Sequence, residues 1–259
     1  MTALPLLRPE DPPPVSLHNA AAEGGLVLLC DHASNRVPAG LAGLGLTKAD
    51  LDSHFGWDIG AATAARSVAD RMGAPAAFCG FSRLVIDCNR PVAAPDSIVP
   101  QIDGRPVPGN RDLDAAARAA RVDAIFQPYH AAISDLLDAR AGRGLANSLV
   151  CMHSFTPVFG GRSRPWHVGI SYGRCGGLAR ALLAVLRRDT SLVVGEHEPY
   201  PVEASSDYAV PVHGDGRNAE AVLIEIRQDL LADAAAARDW GGRIAEALGQ
   251  ALAEMGRAA

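Results

Sequence analysis

Two histidines stand where apolar runs stop. His32 closes GLVLLCDH (residues 25–32) and His153 closes SLVCMH (residues 148–153). A short, continuous apolar run that breaks off into polar residues is the pattern of a strand buried on both faces. Imidazoles at the carboxyl ends of two such strands open into one crevice, where they can share a divalent metal ion such as zinc. A catalytic zinc site takes a third protein ligand and keeps a position for water. The sequence offers Asn35, three residues after His32, and Asp58 in DIGAATAARSVADRM. Asp58 is preferred, because a carboxylate is the better ligand and the start of a helix favours negative charge. One such histidine alone is more simply a hydrogen-bonded strand end; two in equivalent places favour a shared ion.

A second set of residues could act beside that ion. In AVLIEIRQDL, Val222, Ile224 and Ile226 alternate with Glu225 and Arg227, so the two charges share a face of a strand. Buried charges need each other or a ligand. They could form a structural ion pair; next to a metal, Glu225 is placed to act as general base, taking a proton from an attacking water and delivering it to a leaving nitrogen. SRLVIDCNRP holds Arg83, Asp87, Asn89 and Arg90. The run reads as a strand halted by Pro91, and at its end Asn89 and Arg90 could grip a substrate carboxylate. Capping by Asn89 and a surface ion pair for Arg90 are the plainer alternatives.

These residues need a frame. The periodicity predicts buried strands at residues 25–32, 76–81, 83–90, 148–153, 166–173, 191–197 and 221–230. Helices are predicted over residues 58–72, over 112–140 with an interruption near Pro128, over 177–188 and over 232–255. Alternation of this kind implies an α/β fold: three layers, with a mostly parallel or mixed central sheet and helices on both faces. The Pro- and Gly-rich stretch from 91 to 110 reads as a long functional loop. Residues 1–24, with prolines from Pro5 to Pro14, read as an extended arm over a single domain spanning 25–259.

The chain has 259 residues, 48% apolar, 20% charged and 5% aromatic, which excludes a disordered or collagen-like protein. A net charge of -5 with scattered arginines and a lone lysine, Lys48, excludes a basic nucleic-acid-tracking stripe. Cys30, Cys79, Cys88, Cys151 and Cys175 lack CxxC spacing and read as buried thiols of a reducing compartment. With no signal peptide and no apolar stretch of membrane-spanning length, a cytoplasmic location without a membrane partner is expected. Glycine pairs at 160–161 and 176–177 lack a phosphate-binding fingerprint. Of the remaining histidines, His54, His197 and His213 are candidates to line a pocket, while His18, His130 and His167 read as structural or exposed. Glu196, Glu198 and Tyr200 in GEHEPY could touch a substrate amine or brace their loop.

The ordered set CDHASNRVP, HFGWDIGA, SRLVIDCNRP, PYH, HSFTP, GEHEPY and EIRQDL resembles the N-formylglutamate amidohydrolase family, which is similar in fold to the zinc carboxypeptidases. The resemblance implies one zinc ion and a small anionic substrate, N-formyl-L-glutamate, hydrolysed to formate and L-glutamate in histidine degradation. It matches His32 and His153 to metal ligands and Glu225 to the catalytic glutamate. Asn89 and Arg90 match residues that hold a carboxylate, leaving Arg83 or Arg227 for a second carboxylate or the oxyanion. Asn35 departs from the glutamate that carboxypeptidases carry at that place, so the third ligand stays open between Asn35 and Asp58. Two alternatives accompany this expectation: a zinc-dependent deacylase or peptidase with another substrate, and a catalytically silent binding protein.

Overall fold

The computed structural model describes residues 5–257; residues 1–4 of the expected arm and 258–259 of the expected domain lie outside that range. In chain order the strands are β1 (Val15–His18), β2 (Leu26–Cys30), β3 (Ala76–Cys79), β4 (Gln101–Ile102), β5 (Arg105–Pro106), β6 (Ser148–Phe155), β7 (Val158–Phe159), β8 (Arg162–Ser163), β9 (Val168–Ser171), β10 (Val194–Glu196) and β11 (Ala221–Arg227). The α-helices are α1 (Lys48–Asp52), α2 (Ala61–Met72), α3 (Ala115–Arg121), α4 (Gln127–Gly142), α5 (Gly177–Leu186) and α6 (Ala234–Glu254). Seven strands form one mixed sheet in the order β1-β3-β2-β6-β11-β9-β10, while β4 with β5 and β7 with β8 make separate small hairpins. The central strands β3, β2, β6 and β11 run parallel; β1 runs against β3, and β9, with β10 parallel to it, runs against β11.

Period-two alternation divides the core into two layers. Leu26, Leu28 and Cys30 face α2, α5 and α6, whereas Val27 and Leu29 face α4 and the segment around Leu84–Cys88. This is the expected three-layer α/β arrangement. Helix α2 buries Ala61, Ala64, Ala65, Val68 and Ala69, a helical stripe of small residues that brings α6 close. Gly241 of α6 completes the approach, since a Cβ there would lie 2.6 Å from the Ala64 carbonyl oxygen.

Three expectations are corrected. The arm does more than lie over the domain, because Val15–His18 pairs antiparallel with Ala76–Cys79 as an edge strand. Helix α2 begins at Ala61 rather than at Asp58, after Gly60, whose φ of 78° and packing against Leu231 suit no larger residue. Residues 83–90 are no strand at all. Their apolar members Leu84, Val85 and Ile86 are buried as a strand's would be, but the backbone runs through turns. Elsewhere the expected interruption near Pro128 takes the form of a π-helical turn over Val122–Phe126, two residues before Pro128, through which the backbone stays helical from α3 into α4.

The irregular segment is held by side chains. Asn110 donates its amide to the carbonyls of Leu84 and Val99, each at 2.8 Å. The buried Arg121 guanidinium donates to the carbonyls of Val85 and Gly109, both at 2.9 Å, and to Asn110 Oδ1 at 2.6 Å. Nε2 of His130 donates to the Cys88 carbonyl at 2.8 Å, so its Nδ1 accepts from Nε2 of His213 at 3.0 Å. Burial pushes both histidines down to about 4, aided at His213 by the neighbouring His130.

Replacing Arg121 by Met strands buried carbonyls, and we expect a loss of about 2–4 kcal/mol in denaturant unfolding. The histidine pair predicts acid sensitivity. Both rings stay neutral when folded but take protons near pH 6.5 when unfolded, so stability is complete above about pH 6.5 and falls as pH drops toward 4. Unfolding free energies measured across that window will decline by about 1–3 kcal/mol more in the native protein than in a His213→Gln variant.

Candidate active site

Strands β2, β6 and β11 are parallel neighbours, so their carboxyl ends meet at one edge. Leu29 pairs with Cys151, and two residues further on each strand stand Asp31 and His153. Glu225 pairs directly with His153. His32 follows Asp31, and its carbonyl accepts the N–H of Asp58 at 3.0 Å, which fixes the turn leading into α2. The Asp58 side chain turns inward instead of capping the helix. Its Oδ2 lies 2.8 Å from Nδ1 of His153 and 3.3 Å from Nδ1 of His32. The three residues are buried, and their ligand atoms lie within 4.8 Å of one another. Asn35 is elsewhere, donating to Asp52 at 2.9 Å.

Each imidazole presents Nδ1 to the cluster and is backed at Nε2 by a carboxylate. Asp87 Oδ1 lies 2.7 Å from Nε2 of His32. Asp31 Oδ2 lies 3.3 Å from Nε2 of His153, off the line of a hydrogen bond, while its Oδ1 accepts from the Tyr129 hydroxyl at 2.7 Å. A carboxylate behind each histidine fixes ring orientation and leaves the opposite nitrogen to bind a metal. Asp31, Asp58, Asp87 and Glu225 are all buried, whereas Arg83 bonds only Asp87 at 2.9 Å and, loosely, Asp58 at 3.5 Å. Despite burial, the carboxylates raise both imidazole pKa values, so the cluster's negative charge is met either by protons on His32 and His153 or by a cation in their place. Donor set and charge both fit a divalent cation.

Glu225 forms one wall of a cavity of about 300 Å³ that also takes in His32, Asp58, Arg83, Asn89, Arg90, His153 and Arg164. Its Oε2 is buried without a hydrogen-bond partner. Burial pushes its carboxyl up to about 7, against the pull of His153. A carboxylate so placed can exchange a proton with a bound molecule.

The other expected site residues divide. Asn89 reaches the cavity, but its side chain is occupied: Oδ1 accepts from the N–H of Tyr208 and of Ala209, and Nδ2 donates to Asp207 at 3.2 Å. Arg90 is paired with Asp96 at 2.9 Å and Asp207 at 3.3 Å. Arg227 is not among the residues lining the cavity; it pairs with Asp229 at 2.7 Å and donates to the carbonyls of Pro165 and Trp166. His54 and Tyr200 line the cavity, while His197 packs on Tyr172 and Glu196 pairs with Arg187 and Tyr172. The sequence reading assigned no part to Asp31, Phe155, Phe159 or Arg164. For Asp31 the signal was there, in its position beside His32; Arg164 sits in an irregular loop where periodicity is silent.

Residues 24–232 match the N-formylglutamate amidohydrolase family. No curated protein sequence matches the chain. Among solved structures, a gene product of Agrobacterium tumefaciens is similar over 97% of this chain and 100% of its own, at 35% identity and a TM-score of 0.94. N-formylglutamate amidohydrolase from Ralstonia eutropha JMP134 is similar over 90% of this chain and 97% of its own, with 19% identity and a TM-score of 0.67, a likeness of fold.

Proposed function

The chain belongs to the N-formylglutamate amidohydrolase family, and on that premise we propose that it hydrolyses the amide C–N bond of an N-acyl amino acid, with N-formyl-L-glutamate as substrate and formate and L-glutamate as products. The observation that carries the proposal is the buried His32–Asp58–His153 cluster facing an unpartnered Glu225 across one cavity wall. Two imidazoles and one carboxylate suit zinc. A zinc ion held by them supplies Lewis acidity toward the acyl oxygen and makes water a better nucleophile.

The protein's own groups do the rest. Glu225 takes the proton of the attacking water and passes it to the amide nitrogen as the C–N bond breaks, so that the amine leaves neutral. Asp87 and Asp31 keep Nδ1 of each histidine turned to the cluster. Arg83, beside Asp58 and Asp87, offers positive charge to the oxyanion that develops on the acyl group. Arg90 takes the α-carboxylate, exchanging part of its pairing with Asp207, and Asn89 adds the one N–H of its Nδ2 that Asp207 does not use. We assign the reaction to cytoplasmic amino-acid catabolism on the family's substrate; separately, no helix among the described residues is long and apolar enough to cross a membrane.

Metal analysis of the purified protein, coupled to hydrolysis of N-formyl, N-acetyl and N-succinyl amino acids, tests the reading. We expect about one zinc per chain and fastest turnover of N-formyl-L-glutamate; no metal and no turnover across the panel would end it. Glu225→Gln will retain the metal while kcat falls by about 10²–10⁴-fold. Asp87→Asn will weaken metal affinity by about 10–100-fold, read by competition with a chromophoric chelator.

A further inference from the structure

Three arginines line the cavity, and two of them are already paired: Arg83 with Asp58 and Asp87, Arg90 with Asp96 and Asp207. Arg164 differs. Among the described residues no carboxylate pairs with it; its Nη2 donates to the Tyr200 hydroxyl at 2.7 Å, and its Nη1 is buried without any hydrogen-bond partner. A buried N–H group left unbonded is expensive and is found where a ligand completes it.

The surroundings of Arg164 hold it in place. The guanidinium carbon lies 4.7 Å from the Phe159 ring centre, 4.8 Å from that of Tyr200 and 6.0 Å from that of Phe155. All three rings line the same cavity. The Arg164 N–H donates to the Pro157 carbonyl at 2.8 Å, closing the base of the β7–β8 hairpin. That hairpin turns through Gly160 and Gly161, both at positive φ, as a two-residue turn requires. The ring faces favour a cation between them, and among the described residues no carboxylate lies within ion-pair distance of Arg164.

We propose that Arg164, caged by Phe155, Phe159 and Tyr200 on the cavity wall, is the anchor for the second, side-chain carboxylate of the substrate and sets the preference for acidic over neutral N-acyl amino acids. The inference rests on the hydrolase reading only for the identity of the ligand. Nη1 contributes the open donors, and Tyr200 orients the fork from its far side. The α-carboxylate, left to Arg90, is common to acidic and neutral substrates, so discrimination falls to Arg164.

The test compares N-formyl-L-glutamate with N-formyl-L-glutamine, and follows L-glutamate binding by titration calorimetry. In Arg164→Gln, kcat/KM for the dicarboxylate is expected to fall by about 100-fold while that for the neutral amide stays within about threefold of the native value. The neutral substrate thereby reports that the variant is folded. L-glutamate binding is expected to weaken by at least about tenfold, with Arg164→Lys recovering part of it, since charge without the fork is a poorer match. Equal loss on both substrates, or L-glutamate affinity unchanged in Arg164→Gln, would overturn the assignment. A native protein that binds L-glutamate through Arg164 yet hydrolyses neither compound would sink the hydrolase reading and leave this anchor standing.

Discussion

One carboxylate ties distant parts of this chain together. Asp58 Oδ2 sits against imidazoles that lie 26 and 95 residues away in sequence, and it also accepts the backbone N–H of Ser154 at 3.3 Å. Through these contacts the end of β2, the approach to α2 and the end of β6 are fixed against one another. Each partner is in turn held from behind, His32 by Asp87 and His153 by Asp31 with Tyr129. The price of this arrangement is a concentration of buried acid that hydrophobic packing alone would not tolerate. Removal of any one member would leave another buried and unpaired, so the site and the interior beneath it form a single electrostatic unit.

That unit explains why the segment from Phe81 to Arg90 is irregular. It must carry Asp87 behind His32, Arg83 beside Asp87 and Asn89 against the Tyr208 and Ala209 N–H groups. A strand would set all three on one face but hold Arg83 and Asp87 about 13 Å apart along the chain, too far for the 2.9 Å bond they make, and the turns bring them together. Fixing an irregular backbone in the interior then requires donors for its carbonyls, which Arg121, Asn110 and His130 supply.

The elements most legible in the sequence were those whose geometry is repetitive. The apolar runs of β2, β6 and β11 end where His32, His153 and Glu225 begin, and a parallel sheet brings such ends together without further instruction. Helices α2, α5 and α6 were equally plain from their periodicity. Residues 83–90 misled because burial makes a strand and a buried coil look alike: Leu84, Val85 and Ile86 are apolar for the same reason in either. Edge strand β1 escaped notice because its alternation is short and its exposed Leu17 blurs it. Asp58 was picked for its charge at a helix start, but the helix begins beyond it and its carboxylate serves the histidines. The ion-pair alternative weighed for Arg227 holds in modified form, its partner being Asp229 rather than Glu225. Arg164 left no trace, since an orphaned donor among aromatic rings is a fact of three-dimensional placement and has no spacing.

The hairpin that ends at Arg164 belongs to neither core layer. It is a two-stranded excursion joined to the sheet only where β6 ends and β9 begins, with Val158 and Phe159 exposed. The groups proposed to break the bond, by contrast, lie on or beside the central strands, with His153 in β6 and Glu225 in β11, and are buried in the interior. Chemistry and choice of substrate therefore have separate mechanical foundations. On the assignment proposed for Arg164, selectivity can be exchanged by redrawing one surface turn while the acid-rich interior stays untouched.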